Sequence, residues 1–565
     1  MKSCNYLKSK WLLKSLFVFM ILTISLFSCK KDSVDIKDTS TQISDVNNDI
    51  YTVEEVRTLF DQKKPLDWKT EKDAKFIYSV GVHTDPIYSV GYKPKNITNL
   101  MEIIHLIDIH SDEWKNVEDK VMNELLKNEG KKKSEVLIHH FDPLPSFVVQ
   151  GLSLSTIEKL IVMDEVMYVE PKTTTIFAPN YSKVNLREDG SNEGLPYEED
   201  DLESVTCNCG ASPVNPLDYL EVTPNDAKKS WNFSQHNIND NSWNISTGSG
   251  VGIAILDTGV SDDQDNLYAY EFGYTWPYER VHFRHNYLPT VSSNVINQME
   301  IEEGTIVIDE LLSINPTHTH DYCGHGTRMA GIATAPRGNN GSAIGVAYGA
   351  DLYSMRVAHN PILDLFTEKI AVSSALQAAR VNDGIQIISI ALGMAFGLTD
   401  NDIEMAIQTI NNEDEKLIFC AAGTSPTYLG GTAVAFPANL TSTYAVTGMQ
   451  EQINLQTPLD DTDIHCDICH FGPEVDFSVV MQRRNFPDRN AVGLNCSNND
   501  PVYTSGSSAA TATMAGIAAL IWAYNGVNSS AGEIEGKLLL HASNVDNKHP
   551  TLGFGWIDVE SALGL

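Results

Sequence analysis

Positive charge is what this chain has least of. Its 565 residues carry 40 Lys and Arg against 74 Asp and Glu, a formal net charge of -34. Such a chain is repelled by phosphate backbones and by anionic membrane surfaces, which argues against nucleic acid as a partner. Long apolar runs are scarce as well. The one near the amino terminus, Leu16 to Ser28, is short of the roughly 20 residues that span a bilayer. The triplet Asp257-Thr258-Gly259 has no second copy, which excludes chemistry by two such carboxylates facing each other. No loop carries a readable set of calcium ligands.

What is present begins with Lys2, Lys8, Lys10 and Lys14 ahead of the apolar run, the layout of an export signal. The run ends Leu26-Phe27-Ser28-Cys29, which resembles a bacterial lipobox. That resemblance implies that residues 1–29 are a signal peptide and that Cys29 becomes the lipidated first residue. The mature chain would then be held in the cell envelope by a lipid anchor in the membrane. Removing Cys4 and lipidating Cys29 leaves an odd set of cysteines, so one thiol stays free or pairs elsewhere. Cys420, inside the apolar run LIFCAAG, is the expected buried free thiol; the others can form bridges in an oxidising compartment.

The chain is longer than one core usually grows, so two folded regions are expected. Residues 30–72 are polar, lack sustained periodicity and read as a tether. Within 73–172, FIYSVGV from Phe76 reads as a strand, and Trp114, Val117, Val121 and Leu125 form a helical stripe. VLIHHF and SFVVQGL read as strands around Asp142-Pro143. Ser155-Thr156-Ile157-Glu158 opens a short helix as a capping box, and Val166-Met167-Tyr168-Val169 is a last strand. This βαββαβ order predicts a small ferredoxin-like α+β domain. Residues 173–212, with Cys207-Asn208-Cys209, read as an exposed acidic linker. From 213 to 565 the strand-like runs GVGIAIL, IQIISIAL and LIFCAAG alternate with helical stretches, among them Ala371 to Ala379. The alternation predicts an α/β region, a parallel sheet with helices on both faces.

Reactive groups of such a sheet collect at the carboxyl ends of its strands. GVGIAILDTGV runs straight into Asp257. In DYCGHGTRMAGIA, His325 sits between two glycines, where the backbone can come close and the imidazole stays reachable. In TSGSSAATATMAGIAALIWAY, Gly506-Ser507-Ser508 opens a helix that is apolar nearly all round and therefore buried. The order Asp257, His325, Ser508 in these contexts resembles the subtilisin-like serine proteases, peptidase family S8. Ile388 to Gly393 resembles that family's substrate-lining strand, Cys420-Ala421-Ala422-Gly423 its second wall, and GFGWIDVESAL its last strand and helix.

The resemblance implies a doubly wound subtilisin-like fold and a serine endopeptidase acting on proteins or peptides. Ser508 would be the nucleophile, His325 its base and Asp257 the group that orients the imidazole; the helix start at Ser508 would donate N–H groups to an oxyanion. Ala391, Leu392, Gly393, Ala421, Ala422 and Gly423 would wall the pocket for the residue before the cut, with Ala435 near its base. These are small and uncharged, which favours medium or large apolar side chains there. Residues 73–172 resemble the family's propeptide, a folding helper and inhibitor, to be cleaved after Lys172 and before the catalytic region.

The chain departs from the family where Asn usually donates a side-chain amide to the oxyanion: that position is Thr424. Losing such a donor costs about a hundred- to a thousandfold in rate. The hydroxyl of Thr424, or of Ser425, is the candidate replacement. The alternative is a subtilisin-fold binding protein that has lost turnover. Ser507, Ala512 and Arg328 are further departures, replacing Thr, Pro and His. His318, His320, Cys323 and His325, and separately His465-Cys466-Asp467-Ile468-Cys469-His470, are residue types that bind zinc, although the first set would use the catalytic histidine and a bridge is the commoner use of Cys-x-x-Cys in an exported protein. A zinc-dependent hydrolase is the third reading. Calcium is a frequent structural ion of the family, and Asp262-Asp263-Gln264-Asp265 is its best candidate turn. No cofactor is required and no metal residue is assigned.

Overall fold

The computed structural model describes residues 49–63, 66–172, 213–222, 226–268, 281–288, 319–321, 323–338, 341–363, 366–394, 397–425, 433–452 and 464–565. The expected signal peptide with Cys29, the linker with Cys207 and Cys209, and His318 lie outside them.

The amino-terminal lobe starts earlier than its pattern suggests. The Thr52 hydroxyl accepts the Glu55 N–H, and the Thr52 N–H donates to the Glu55 carboxylate, a reciprocal cap that opens α1 (Val53–Gln62). From α1, Val56 and Phe60 join Trp68 and Phe76 in a buried aromatic cluster, with ring centroids 5.2 Å apart for Phe60 and Phe76 and 5.8 Å for Trp68 and Phe76. The tether expected through residue 72 therefore gives way to folded chain from Asp49 onward. The apolar stripe of α1 is only Val53, Val56, Leu59 and Phe60, and Thr-x-x-Glu was its legible signal.

A second correction falls on FIYSVGV. It is the middle of a helix, α2 (Ala74–His83), and the first strand is the next segment, β1 (Ile87–Tyr92). There follow α3 (Asp112–Glu129), β2 (Leu137–Phe141), β3 (Ser146–Gln150), α4 (Leu154–Leu160) and β4 (Val166–Pro171). The helix expected from a cap at Ser155 starts two residues earlier, where Ser153 accepts the Thr156 N–H. The strands form one antiparallel sheet in the order β2-β3-β1-β4.

The larger lobe is built on β5 (Gly252–Asp257), β6 (Val281–Asn286), β7 (Asp351–Arg356), β8 (Ile387–Ile390), β9 (Leu417–Ala421), β10 (Tyr444–Gln450) and β11 (Val475–Gln482). Their order is β11-β10-β9-β8-β5-β7-β6, and every neighbouring pair is parallel. Along β5, Ala254 and Leu256 enter one apolar core while Ile253 and Ile255 enter another. A strand buried on both faces must read as a continuous apolar run, which is why GIAIL does. The first core holds α6 (Phe366–Arg380) and α7 (Asn401–Glu413). The second holds α8 (Gly506–Asn525) and α5 (His325–Thr334). Among the described residues, α8 is the one helix long and apolar enough to cross a membrane, yet 89% of its apolar window is buried inside the fold.

The first core runs on without a break from α6 and α7 into the amino-terminal sheet, and residues 49–565 form one compact unit. Polar contacts at this junction gather on the start of α7. Glu170 accepts from the backbone N–H of Asn401 at 3.0 Å and from its side-chain amide at 3.1 Å, and the Tyr168 hydroxyl donates to Asp402 at 2.8 Å. Lys172 pairs with Asp400 and, at 2.6 Å, with Asp402; Lys369 donates to the Lys172 carbonyl. All of these side chains are buried.

Candidate active site

β5 delivers Asp257 into a fully buried position, where its Oδ1 accepts the Thr258 N–H at 2.7 Å. α5 can begin beside it because Gly324, at φ +82°, turns the chain in and because Gly326 lacks a side chain. A Cβ on Gly326 would lie 2.3 Å from the Gly259 carbonyl oxygen and 3.1 Å from the Asp257 Cβ. This close approach puts His325 Nδ1 at 2.8 Å from Asp257 Oδ1. A carboxylate only accepts, so Nδ1 carries the proton and Nε2 of the neutral ring carries the lone pair.

Asp321 was not among the residues singled out from the sequence. It is buried, and its Oδ1 accepts the Thr258 hydroxyl at 2.8 Å and the N–H groups of Cys323 and Gly324 at 3.1 and 2.7 Å. Its Oδ2 accepts both the N–H and the hydroxyl of Thr327, at 2.8 and 2.7 Å. The Thr258 oxygen accepts the Gly326 N–H in turn. One carboxylate thus ties the exit of β5 to the first turn of α5. An acid four residues ahead of His325, before a helix start, was its only signal.

Ser508 sits in the first turn of α8, which follows the extended Ser505, with Gly506 at φ +81°. Its hydroxyl donates to the Ala391 carbonyl at 3.1 Å. The structure therefore joins Asp257 to His325 and sets Ser508 on the end of β8, the neighbour of β5. Among the described residues, no hydrogen bond links Ser508 to His325.

The expected pocket walls are adjacent. β8 and β9 pair with Ile390 beside Cys420, so Ala391-Leu392-Gly393 and Ala421-Ala422-Gly423 leave the sheet side by side. The Ala435 N–H donates to the Ala422 carbonyl at 2.8 Å, and a Cβ on Gly393 would lie 3.5 Å from that of Ala435. Leu392 and Ala422 bury their side chains in the core, which leaves their backbone to face a ligand. Pro361 to Leu363 carry no signal that sequence reasoning could use. The Gly393 N–H donates to the Pro361 carbonyl at 3.1 Å, and the Leu363 N–H to the Gly393 carbonyl at 2.9 Å.

At the position of the departure, Thr424 Oγ1 accepts the Ser507 N–H at 3.1 Å and lies 3.2 Å from Ser507 Oγ, which accepts the Gly423 N–H at 3.0 Å. Ser425 Oγ lies 2.6 Å from His470 Nε2. The zinc-type residues are otherwise engaged: Cys466 and Cys469 form a disulfide, His465 stacks on Phe471, and Cys323 is disulfide-bonded. Asp262, in the turn considered for calcium, is paired with Arg284 at 2.5 Å and His320 at 3.4 Å. Among the described residues, no group of three or more His, Cys, Asp or Glu gathers as a metal site. Cys420 is a buried free thiol, and burial pushes its pKa up.

The sequence profile of the Subtilase family, Peptidase S8, matches residues 248–556. The chain belongs to the subtilase family. Among curated subtilases, the thermostable alkaline protease of Halalkalibacterium halodurans is 29% identical over 210 residues, which is 37% of this chain and 50% of that protein. Thermitase of Thermoactinomyces vulgaris is 26% identical over 212 residues, 38% of this chain and 60% of that one. The chain thus spans half to three fifths of the length of these two relatives. Two solved structures share the fold. The epidermin leader peptide processing serine protease of Staphylococcus aureus has a TM-score of 0.50 at 16% identity, over 85% of this chain and 98% of that one. Fervidolysin of Fervidobacterium pennivorans, a keratinolytic enzyme related to subtilisin, has a TM-score of 0.50 at 12% identity, over 85% of this chain and 61% of that one.

Proposed function

We propose that this subtilase is a serine endopeptidase of the cell envelope, made as a zymogen and anchored through Cys29. The observation that carries the catalytic reading is the 2.8 Å contact between His325 and Asp257 on a strand end next to the helix that bears Ser508. Rotation of the Ser508 side chain away from Ala391 hands its proton to His325 Nε2 as the oxygen attacks a peptide carbonyl. His325 then protonates the leaving amine, Asp257 stabilises the imidazolium, and water releases the acyl group by the same route. The small, uncharged residues around Gly393 and Ala435 favour an apolar side chain before the cut.

The amino-terminal lobe is read as a ferredoxin-like propeptide. Its β2-β3-β1-β4 sheet order, and its buried contacts with α7 next to the candidate pocket strands, support this. The exported chain is to be expressed beside Ser508→Ala and both preparations followed by intact mass. Self-processing predicts a chain shortened to a point beyond Lys172 in the parent and an uncut chain in the variant. Identical processing in both would sink self-cleavage as the route to maturation.

A further inference from the structure

We infer that the hydroxyl of Thr424 is the side-chain oxyanion donor of this site and that Ser507 is the positioning residue that turns its proton outward. This rests on the serine endopeptidase reading above. The direction of each proton follows from burial and partners. The Ser507 side chain is fully buried, and its Oγ has two partners, the Gly423 N–H at 3.0 Å and Thr424 Oγ1 at 3.2 Å. A backbone amide only donates, so the Ser507 proton has one destination, Thr424 Oγ1. The reverse direction would leave a buried hydroxyl proton without an acceptor, which folded proteins avoid. Thr424 Oγ1 also accepts the Ser507 N–H at 3.1 Å. With its acceptor capacity taken up, the Thr424 hydroxyl has only its own hydrogen to offer, and that hydrogen points away from Ser507.

Thr424 is exposed, and its oxygen is pressed against Gly506: a Cβ there would lie 2.6 Å from Oγ1. Gly506 is thus required twice, for φ +81° and for this approach, and it puts the Thr424 hydroxyl two residues from the N–H of Ser508. Hydrogen bonds chained in one direction polarise each other. Gly423 N–H to Ser507 to Thr424 is such a chain, and it ends in a proton on the side chain that holds the N–H of Ser507, the residue before the nucleophile.

The neighbouring hydroxyl is committed elsewhere. His470 Nδ1 lies 3.0 Å from the Ala433 carbonyl oxygen and so carries the ring proton. Nε2 is then an acceptor, and the Ser425 hydroxyl, 2.6 Å away, donates to it. Burial draws the His470 pKa down and keeps the ring neutral. The backbone is shaped around this ring: Ala433 is at φ +63°, and a Cβ on Gly423 would lie 2.5 Å from His470 Nδ1. Ser425 therefore has no proton for an oxyanion.

The test uses processed enzyme, a peptide p-nitroanilide with an apolar residue before the scissile bond, and a fluorophosphonate that labels reactive serines. Thr424→Val is expected to lose about a hundredfold in kcat with KM within about threefold, the mark of a bond made only in the transition state. Thr424→Ser, which keeps the hydroxyl, restores most of that rate. Ser507→Ala loses about tenfold, and adding it to Thr424→Val costs little more, because the relay has no end to act through. Ser425→Ala stays within about threefold of the parent. Parent kcat in Thr424→Val, a Ser425→Ala loss as large as that of Thr424→Val, or two losses that multiply would each overturn the relay. If Ser507→Ala fails to fold in a thermal melt, the contrast between Thr424→Val and Thr424→Ser decides alone. Labelling of the parent at Ser508 leaves the endopeptidase reading standing when the relay fails. A parent that neither hydrolyses nor labels overturns both.

Discussion

Asp321 carries five hydrogen bonds on one buried carboxylate, and each of its donors belongs to the turn or helix that holds His325, or to the residue after Asp257. Replacing it with Ala leaves those buried donors without an acceptor, at a cost on the order of 3 kcal/mol. Asp321→Ala should therefore unfold at markedly lower denaturant than the parent, with Asp321→Asn between them. The residual folded enzyme should lose kcat, because the pairing of His325 with Asp257 depends on the same turn. A denaturation midpoint unchanged by Asp321→Ala would show that the network carries no net stability. Asp257, His325 and Ser508 could be proposed from the sequence because each has a local context of its own: a strand end, a Gly-flanked histidine, a helix start. Asp321 could not, since an acid ahead of a helix reads the same whether it meets solvent or five buried donors.

The clearest limit on reading elements is a repeated pentapeptide. Ile-Tyr-Ser-Val-Gly occurs at 77–81 inside α2 and again at 87–91 inside β1. Propensity cannot separate two identical strings; their neighbours do. Ahead of the first copy, Asp73 accepts the Phe76 N–H at 3.0 Å and starts a helix. Ahead of the second stands Pro86, which biases its predecessor to extended backbone, and β1 is then paired on both edges, by β3 and β4. The two copies also meet, since a Cβ on Gly81 would lie 2.0 Å from the Tyr88 hydroxyl. Removing the cap should tilt this balance: Asp73→Ala is expected to cost about 1 kcal/mol, seen as a lower melting temperature and faster hydrogen exchange across 74–83. Unaltered exchange there would mean that packing of Phe76, Ile77 and Val80 holds α2 without its cap. The parallel strands posed no such problem, because burial on both faces makes their apolar runs continuous.

At the scale of the whole molecule, the junction between the lobes joins residues 168–172 to 400–402, too far apart in the chain for any local pattern to announce. It gathers the carboxyls of Glu170, Asp400 and Asp402 with the ammonium groups of Lys172 and Lys369, all buried, alongside the Tyr168 hydroxyl. Burial and the neighbouring Asp400 charge push the Glu170 pKa up to about 8, whereas Lys172 holds that of Asp402 down against its own burial. The signs then give a window. A carboxyl raised on docking contributes fully below its free value of 4.5, and that contribution is lost as pH rises through about 8. The depressed Asp402 contributes above its free value of 3.8 and loses that contribution on acidification. Docking of the amino-terminal lobe should therefore be tightest in mildly acidic to neutral solution and weaken in alkali, when the proton leaves Glu170 and the buried cluster holds one uncompensated negative charge. The Ser508→Ala chain, nicked between 173 and 212 by an added protease, provides the test by size-exclusion chromatography at pH 6 and pH 9. The lobes should co-elute at pH 6 and separate at pH 9, while Glu170→Gln, which mimics the protonated acid, should co-elute at both. Separation of the Gln variant at pH 9 would assign the alkaline loss to a group other than Glu170.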